Sequence, residues 1–167
     1  MTALVTQYRD TMNTDSLFQS LPPFFRARTR RMTPSADIGE GPVVYWMCTA
    51  VRDHDNPALD TARLIAAKLN KPLLIYHALS YRYPYASDRH HRFVLEGARD
   101  VQLKLNNAGY DYRFHLERPG DPPILKHLAS RAALLITEHM PTPPIRQWVT
   151  RLTAVEGAAI WLSLIHI

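Results

Sequence analysis

Candidate strands and helix-like segments alternate along most of the chain, and this alternation restricts the fold more than any other feature. The first strand candidate, Val43-Val44-Tyr45-Trp46-Met47-Cys48, is a β-branched and aromatic run typical of strands buried on both faces. Five strand candidates occur, at residues 43–48, 72–79, 110–116, 133–137 and 158–162. Segments with apolar residues at helical spacing separate them. The order predicts an α/β fold, a doubly wound five-stranded parallel sheet of the Rossmann-like type with helices on both faces.

Capping signals mark where the intervening helices begin. Asn56 precedes Pro57, a pair typical of a helix N-cap and first helical position. Ser87 or Asp88 is expected to start a long helix that ends near residues 107–109. Asp121 precedes a proline and is expected to cap the next helix. A further amphipathic helix is predicted from Ile145.

Residues 1–41 differ in composition and are predicted to form an extended arm. Thr14 or Asp15 could cap a short helix over residues 16–20, which the prolines at 22 and 23 would stop. Four arginines follow the prolines: Arg26, Arg28, Arg30 and Arg31. In an extended chain they would project largely to one side. They are therefore either a solvated surface or a group that contacts phosphates.

The composition of the 167 residues, 46% of them hydrophobic, suits a single folded domain, which we place at residues 42–161. The single cysteine, Cys48, cannot form an intramolecular disulfide, so a cytoplasmic location is expected. No apolar stretch approaches the roughly 18 residues of a transmembrane helix, so no membrane partner is expected. The formal charge of +5 favours a polyanionic partner without identifying one.

The last six residues, 162–167, read LSLIHI and match the translation of a transposase-end adapter used in sequencing libraries. We therefore expect a non-native tail in place of further coding sequence. The alternative is a natural apolar terminus. An apolar edge strand at this position would promote aggregation, which also suggests that a covering segment lies downstream.

Ligands of an open parallel sheet bind beyond the carboxyl ends of its strands, so the loops at that edge are the candidate site. The chain has no glycine-rich dinucleotide fingerprint and no Walker-type sequence there. The histidines lie on separate elements or point apart, so no metal site is expected. No catalytic residue is predicted. Candidate ligand-binding residues are Met47, Arg52, Asn56, Arg89 and Glu138.

Two of these candidates have an alternative role. Arg52 could hold a ligand anion beside the helix N-terminus or pair with Asp55. Arg89 and the tyrosines of residues 81–85 could frame the same crevice or dock against another domain.

Three segments carry a resemblance to a known family. Residues 41–47, GPVVYWM, followed by Arg52 and Asn56, resemble the opening of the amino-terminal α/β domain of class II-like DNA photolyases and photolyase-related proteins. Residues 86–97 and the sequence IRQWV at 145–149 resemble two helices of the same domain. The likeness extends to about residue 162 and departs from the family in two ligand-facing loops, at residues 48–51 and 139–141.

The resemblance implies an amino-terminal fragment of a deoxyribodipyrimidine photolyase-like flavoprotein. Such a protein binds FAD in a following helical domain, which would be a partner of this chain. It acts on DNA with pyrimidine dimers, and the DNA-contacting residues of this chain would be Arg26, Arg28, Arg30 and Arg31. A deazaflavin or folate antenna chromophore would lie in the α/β domain, and the chain alone is expected to be colourless and inactive. The alternatives are a stand-alone nucleotide-binding module without catalysis and part of a cryptochrome-like photoreceptor.

Overall fold

The computed structural model describes residues 13–164, which contain six helices and six strands. The helices are α1 (Thr14–Gln19), α2 (Pro23–Arg28), α3 (Pro57–Leu69), α4 (Asp88–Asn107), α5 (Ile124–Arg131) and α6 (Ile145–Leu152). The strands are β1 (Thr29–Arg31), β2 (Val43–Met47), β3 (Leu73–Ser80), β4 (Asp111–Glu117), β5 (Leu134–Glu138) and β6 (Ile160–Ser163). The five predicted strands and the four helices between them are confirmed.

The strands form one sheet in the order β1-β6-β5-β2-β3-β4. The five strands from β2 to β6 pair in parallel, as the alternation predicts, and β1 pairs with β6 in antiparallel orientation. The chain moves outward from β2 to β3 and β4, and then returns to the other side of β2 through β5. Strand order therefore reverses between β2 and β5, where sheets of this type leave a crevice at their carboxyl edge.

Helices cover both faces of the sheet because the strands are apolar on both sides. Residues of α1, α3 and α4 pack on one face, where Tyr45, Ile65 and Trp161 are fully buried. Residues of α5 and α6 pack on the other face against Val44 and Leu135. The central strands β2 and β5 are buried throughout, which explains their unbroken apolar runs.

Polar side chains begin the two longest helices as their sequences predict. Asn56 accepts a hydrogen bond from the Leu59 amide at 3.1 Å at the start of α3, and Pro57 takes the first helical position. Ser87 accepts from the His90 amide at 3.2 Å at the start of α4. The prediction for Asp121 is wrong: α5 has no side-chain cap, and the Asp121 carboxylate instead accepts from the Arg118 amide and contacts His115.

The described part of the predicted arm is folded and not extended. Asn13 caps α1, one residue before the predicted cap, and α2 begins at Pro23 because proline suits a first helical turn. Leu17 and Leu21 are buried in the main core, and the Phe18 ring meets Trp161 edge-on at 5.7 Å. This apolar anchoring explains why the segment folds back onto the sheet.

Strand β1 covers the outer edge of β6. In the sequence analysis this last strand was an apolar edge strand without a covering segment. Its residues pair with the segment from Trp161 to Ser163, and the Leu164 amide donates to the Arg28 carbonyl at 2.8 Å. The covering strand therefore comes from upstream in the chain, whereas the sequence suggested a downstream segment. Of the predicted non-native tail, Leu162 and Ser163 lie in β6, and residues 165–167 lie outside the described range, as do residues 1–12 of the arm.

Two glycines allow the chain that leads into β2 to approach the end of α5 closely. A Cβ atom on Gly39 would collide with the Ala132 carbonyl oxygen, and one on Gly41 would collide with the Arg131 carbonyl oxygen. The Gly39 amide donates to the Ala133 carbonyl at 3.0 Å in the same contact. Glycine is required here because the approach is backbone to backbone.

Candidate functional site

A cavity of about 540 Å³ opens at the carboxyl edge of the sheet above β2 and β3. Its lining comes from the ends of β2, β3 and β4, from the first half of α4, and from α5 and α6. The cavity lies at the edge where the parallel-sheet rule places ligands. Its volume is within the range of roughly 300 to 1,000 Å³ that small-molecule sites occupy.

Aromatic side chains form two sides of this cavity. The Tyr83 ring stacks on His90 with centroids 5.0 Å apart and meets Trp148 edge-on at 6.5 Å. Trp46, at the end of β2, and Phe93, on α4, also line the space. Phe93 is 76% exposed, so its ring stands at the open rim. Flat apolar walls of this kind suit a planar ligand.

The wall formed by β3 and β4 is polar. The Tyr76 hydroxyl lies 2.8 Å from Nδ1 of His115, and Nε2 of His115 lies 3.3 Å from Oδ2 of Asp121. Glu117, two residues after His115, also lines the cavity and contacts Nε of Arg82 at 3.6 Å. The cavity therefore combines aromatic walls with one polar wall.

A buried network around Glu138 fills the crevice where strand order reverses. The Glu138 carboxylate accepts hydrogen bonds from the amides of Cys48 at 2.9 Å and Thr49 at 3.0 Å, and from the Tyr45 hydroxyl. Asn56 donates to the Tyr45 oxygen at 3.0 Å and to the Ala50 carbonyl at 3.0 Å. The amides that would meet a ligand anion at this point are therefore already bound to the protein's own carboxylate.

Burial governs the protonation of this network. It raises the pKa of Glu138, although the hydrogen bonds from Tyr45, Thr49 and Cys48 oppose that shift. It also raises the pKa of the Tyr45 hydroxyl and of the Cys48 thiol, and the nearby Glu138 adds to both shifts. The tyrosine and the thiol therefore stay protonated at neutral pH.

Metal sites and membrane spans are both absent from the described residues. Within residues 13–164 no three histidine, cysteine, aspartate or glutamate side chains lie close enough together to hold a metal ion. None of the helices in this range is long and apolar enough to cross a membrane. The cavity at the carboxyl edge is thus the leading candidate site of the described chain.

The comparisons with known proteins match this architecture. The family model described as DNA photolyase matches residues 43–160, which is most of the sheet and its helices. The chain belongs to the DNA photolyase family. A deoxyribodipyrimidine photo-lyase of Methanothermobacter thermautotrophicus is 37% identical over 113 residues, which are 68% of this chain and 25% of that protein. One of Oryza sativa subsp. japonica is 32% identical over 126 residues, 72% of this chain and 24% of that protein.

A solved structure supports the fold of this photolyase-family chain. A bacterial class III photolyase from Agrobacterium tumefaciens superposes with a TM-score of 0.59 at 16% sequence identity, over 78% of this chain and 27% of that one. The resemblance stated from the sequence is confirmed at the level of the family and of its α/β domain. The chain spans about a quarter of the length of the curated relatives that it matches.

The structure brings together three of the five predicted ligand-binding residues, but these three do not line the cavity. Met47, Asn56 and Glu138 are buried at the ends of β2 and β5 and at the start of α3. Arg52 is half-buried, and its carbonyl accepts from Asn56 at 3.2 Å. Arg89 is exposed in the first turn of α4. None of the five lines the cavity of the described chain, so their role in binding stays a prediction.

Sequence reasoning missed two residues of the polar wall, Tyr76 and His115. Tyr76 lies on β3 and His115 on the adjacent strand β4. His115 pairs with Ala78, which is two residues after Tyr76. His115 lies near the carboxyl end of β4, a position that could have identified it, whereas Tyr76 lies in the middle of β3 and carries no such signal. The two side chains meet because β3 and β4 are neighbouring strands. The order of the strands cannot be predicted from the sequence of either strand alone.

The four arginines of the arm do not share one face. Arg26 donates to the Gln19 carbonyl at 3.0 Å, and the Arg28 guanidinium lies 4.2 Å from the centroid of the Phe24 ring. Arg31 pairs with Asp15. Arg30 is exposed on β1. The expected alternation fails because Arg26 and Arg28 lie in helix α2, so any contact of these residues with DNA stays a proposal.

Proposed function

We propose that this chain is the antenna-side part of a longer photolyase-like flavoprotein that uses light to repair pyrimidine dimers in DNA. Membership of the DNA photolyase family is the observation that carries the proposal. FAD and the damaged DNA would be bound by the part of the relatives that this chain does not span. The lone, half-buried Cys48 suits a reducing compartment, so the cytoplasm is the location that we propose.

Within that protein, we propose that the cavity at the carboxyl edge holds the antenna chromophore. When bound, such a pigment absorbs light and passes the excitation to the flavin. The lining suits a deazaflavin or a folate because both carry a flat heterocycle with polar edges. Trp46, Tyr83 and Trp148 would contact the faces of the ring, and Tyr76 with Glu117 would meet its polar edge.

Titration of the 167-residue chain with 8-hydroxy-5-deazariboflavin and with 5,10-methenyltetrahydrofolate tests the pigment proposal. Binding should quench or shift pigment fluorescence, since tryptophan and tyrosine rings would lie against it. Gly97 offers a blocking variant, because it lines the cavity and has no atom within 4 Å of a Cβ position. Gly97→Leu should weaken binding without disturbing α4. Failure of both pigments to bind would overturn the pigment proposal.

Light-dependent repair is tested on the intact protein that contains this chain. With reduced FAD bound, which supplies the electron that splits the dimer and takes it back afterwards, blue light should restore thymine dimers in an irradiated oligonucleotide to thymines, as measured by chromatography of the digested DNA. A flavin-containing protein that gives no reversal would favour the cryptochrome-like alternative. A protein without flavin that binds ATP in the same titration would favour the nucleotide-binding module.

A further inference from the structure

Three side chains are connected by polar contacts at the polar wall of the cavity, beginning with Tyr76. The Tyr76 hydroxyl lies 2.8 Å from Nδ1 of His115, and Nε2 of that ring lies 3.3 Å from the Asp121 carboxylate. The same carboxylate oxygen accepts from the Arg118 amide at 2.7 Å, which fixes its position. Tyr76 and His115 line the cavity, whereas Asp121 is not part of its lining.

Asp121 determines where the protons of this chain lie. The hydrogen bond from the Arg118 amide and the contact with His115 lower the pKa of Asp121, so its carboxylate is ionised and can only accept. Nε2 of His115 must therefore carry a proton. With Nε2 as the donor to Asp121, Nδ1 is the ring nitrogen left to accept, and the Tyr76 hydroxyl donates to it. The proton of Tyr76 points at His115, and the free lone pair of its oxygen is left for the cavity.

Glu117 adds a second acceptor to the same wall. Its side chain is about a quarter exposed and lines the cavity, and its contact with the mostly exposed Arg82 is long, at 3.6 Å. Burial, then Glu117, then Asp121 raise the pKa of Tyr76, so the hydroxyl does not ionise at neutral pH. Tyr76 and Glu117 together offer acceptors to whatever occupies the cavity.

We infer that this wall selects a planar heterocycle that presents a hydrogen-bond donor, such as a lactam N–H, toward Tyr76 and Glu117. The inference rests on the proposed function, because it assigns the recognised edge of the proposed pigment. A ring that presents only acceptors to this wall would place its oxygen atoms against the acceptors of Tyr76 and Glu117. No hydrogen bond could form there, so such a ring would bind more weakly. His115 acts as a positioning residue, since it works through the hydroxyl of Tyr76.

Two probes that differ in a single donor test the inference: 8-hydroxy-5-deazariboflavin and its N3-methyl derivative. Dissociation constants for the 167-residue chain come from fluorescence titration. The loss of one buried hydrogen bond should weaken binding of the methylated probe about tenfold. Tyr76→Phe and Glu117→Gln should each reduce that discrimination. Tyr110→Phe is the matched control, because it removes a hydroxyl that lies outside the cavity and should leave the ratio unchanged.

Each outcome separates this inference from the proposed function. Equal affinity of the unaltered chain for both probes would overturn the donor rule while leaving the pigment proposal intact. Discrimination that persists in both Tyr76→Phe and Glu117→Gln would overturn the assignment of these two acceptors. Failure of both probes to bind would overturn the inference, whereas the pigment proposal falls only if 5,10-methenyltetrahydrofolate also fails to bind. The midpoint of urea unfolding of each variant, measured in parallel, shows that a changed ratio comes from a folded chain.

Discussion

The amide of Cys48 donates a 2.9 Å hydrogen bond to the carboxylate of Glu138, which lies 90 residues later in the chain. This contact joins the loop after β2 to the end of β5, the two strands between which the strand order reverses. The crevice at that point is therefore filled by a protein carboxylate. The cavity lies beside it, over β2 and β3. The position of the candidate site thus depends on how Glu138 is held.

Replacement of Glu138 should separate its hydrogen bonds from its charge. Glu138→Ala removes the acceptor of two backbone amides and the Tyr45 hydroxyl, so we expect it to lower the free energy of unfolding by about 3 kcal/mol or more. In Glu138→Gln the amide oxygen still accepts from the two backbone amides, and the amide nitrogen donates to the Tyr45 oxygen. The Tyr45 hydroxyl can then donate to Asn56 instead. We therefore expect this variant to lower the free energy of unfolding by only about 1 kcal/mol. Urea unfolding at neutral pH measures both, and equal losses would contradict this reasoning.

The charge of Glu138 should also appear in the pH dependence of stability. Burial raises the pKa of Glu138 above its ordinary 4.5, so the folded chain holds a proton that the unfolded chain has released. This contribution to stability is complete below 4.5 and is lost as the pH rises through the raised pKa. Stability curves of the unaltered chain and Glu138→Gln should therefore change their separation over this range and run parallel above it. A constant difference between them at every pH would show that the pKa of Glu138 is ordinary.

The sequence predicted the parts of the fold that depend on local patterns. The strands follow from apolar runs such as residues 43–48, and the start of α3 follows from Asn56 and Pro57, because these signals act within a few residues. The Glu138 network could not be predicted in the same way, since its partners are about 90 residues apart and meet only through the strand order. Asp121 was misjudged because a carboxylate before a proline has the same pattern whether it caps a helix or contacts a histidine.

His77 should make the fold sensitive to acid. It is buried and lies 2.7 Å from the Tyr112 hydroxyl, and burial lowers its pKa from 6.5 to about 4. The unfolded chain takes up this proton below 6.5, so stability is complete above that pH and falls toward pH 4, by roughly 3 kcal/mol in total. The double variant His77→Phe with Tyr112→Phe removes both polar groups and should lose less stability over this range. Parallel curves from urea unfolding would contradict the shift.

Two glycines give a matched pair for testing backbone conformation. Gly97 lies inside α4, where Gly97→Ala should raise the free energy of unfolding by about 0.5 to 1 kcal/mol because alanine favours a helix. Gly109 has a φ of +81°, so Gly109→Ala should instead cost about 1 kcal/mol. At both positions no atom lies within 4 Å of an added Cβ, so steric clashes do not contribute to the difference between the two variants. Thermal unfolding should give shifts of opposite sign, and shifts of the same sign would contradict the α4 assignment or the Gly109 backbone.

Arg30 is the one exposed side chain among the four arginines of the described arm, so it is the residue on which the proposed contact with DNA is tested. It is exposed on β1, whereas the neighbouring Arg31 pairs with Asp15 and lies 5.0 Å from the centroid of the Phe18 ring. If Arg30 binds a phosphate, Arg30→Gln should lower the slope of binding affinity against salt by about one counterion. Arg31→Gln is the matched control, since it removes the same charge from a group already engaged within the protein and should leave the slope nearly unchanged. Affinities for an irradiated duplex across a potassium chloride series decide between them. Equal slopes in the unaltered protein and Arg30→Gln would leave the arm with a structural role alone, which is to cover the edge of β6.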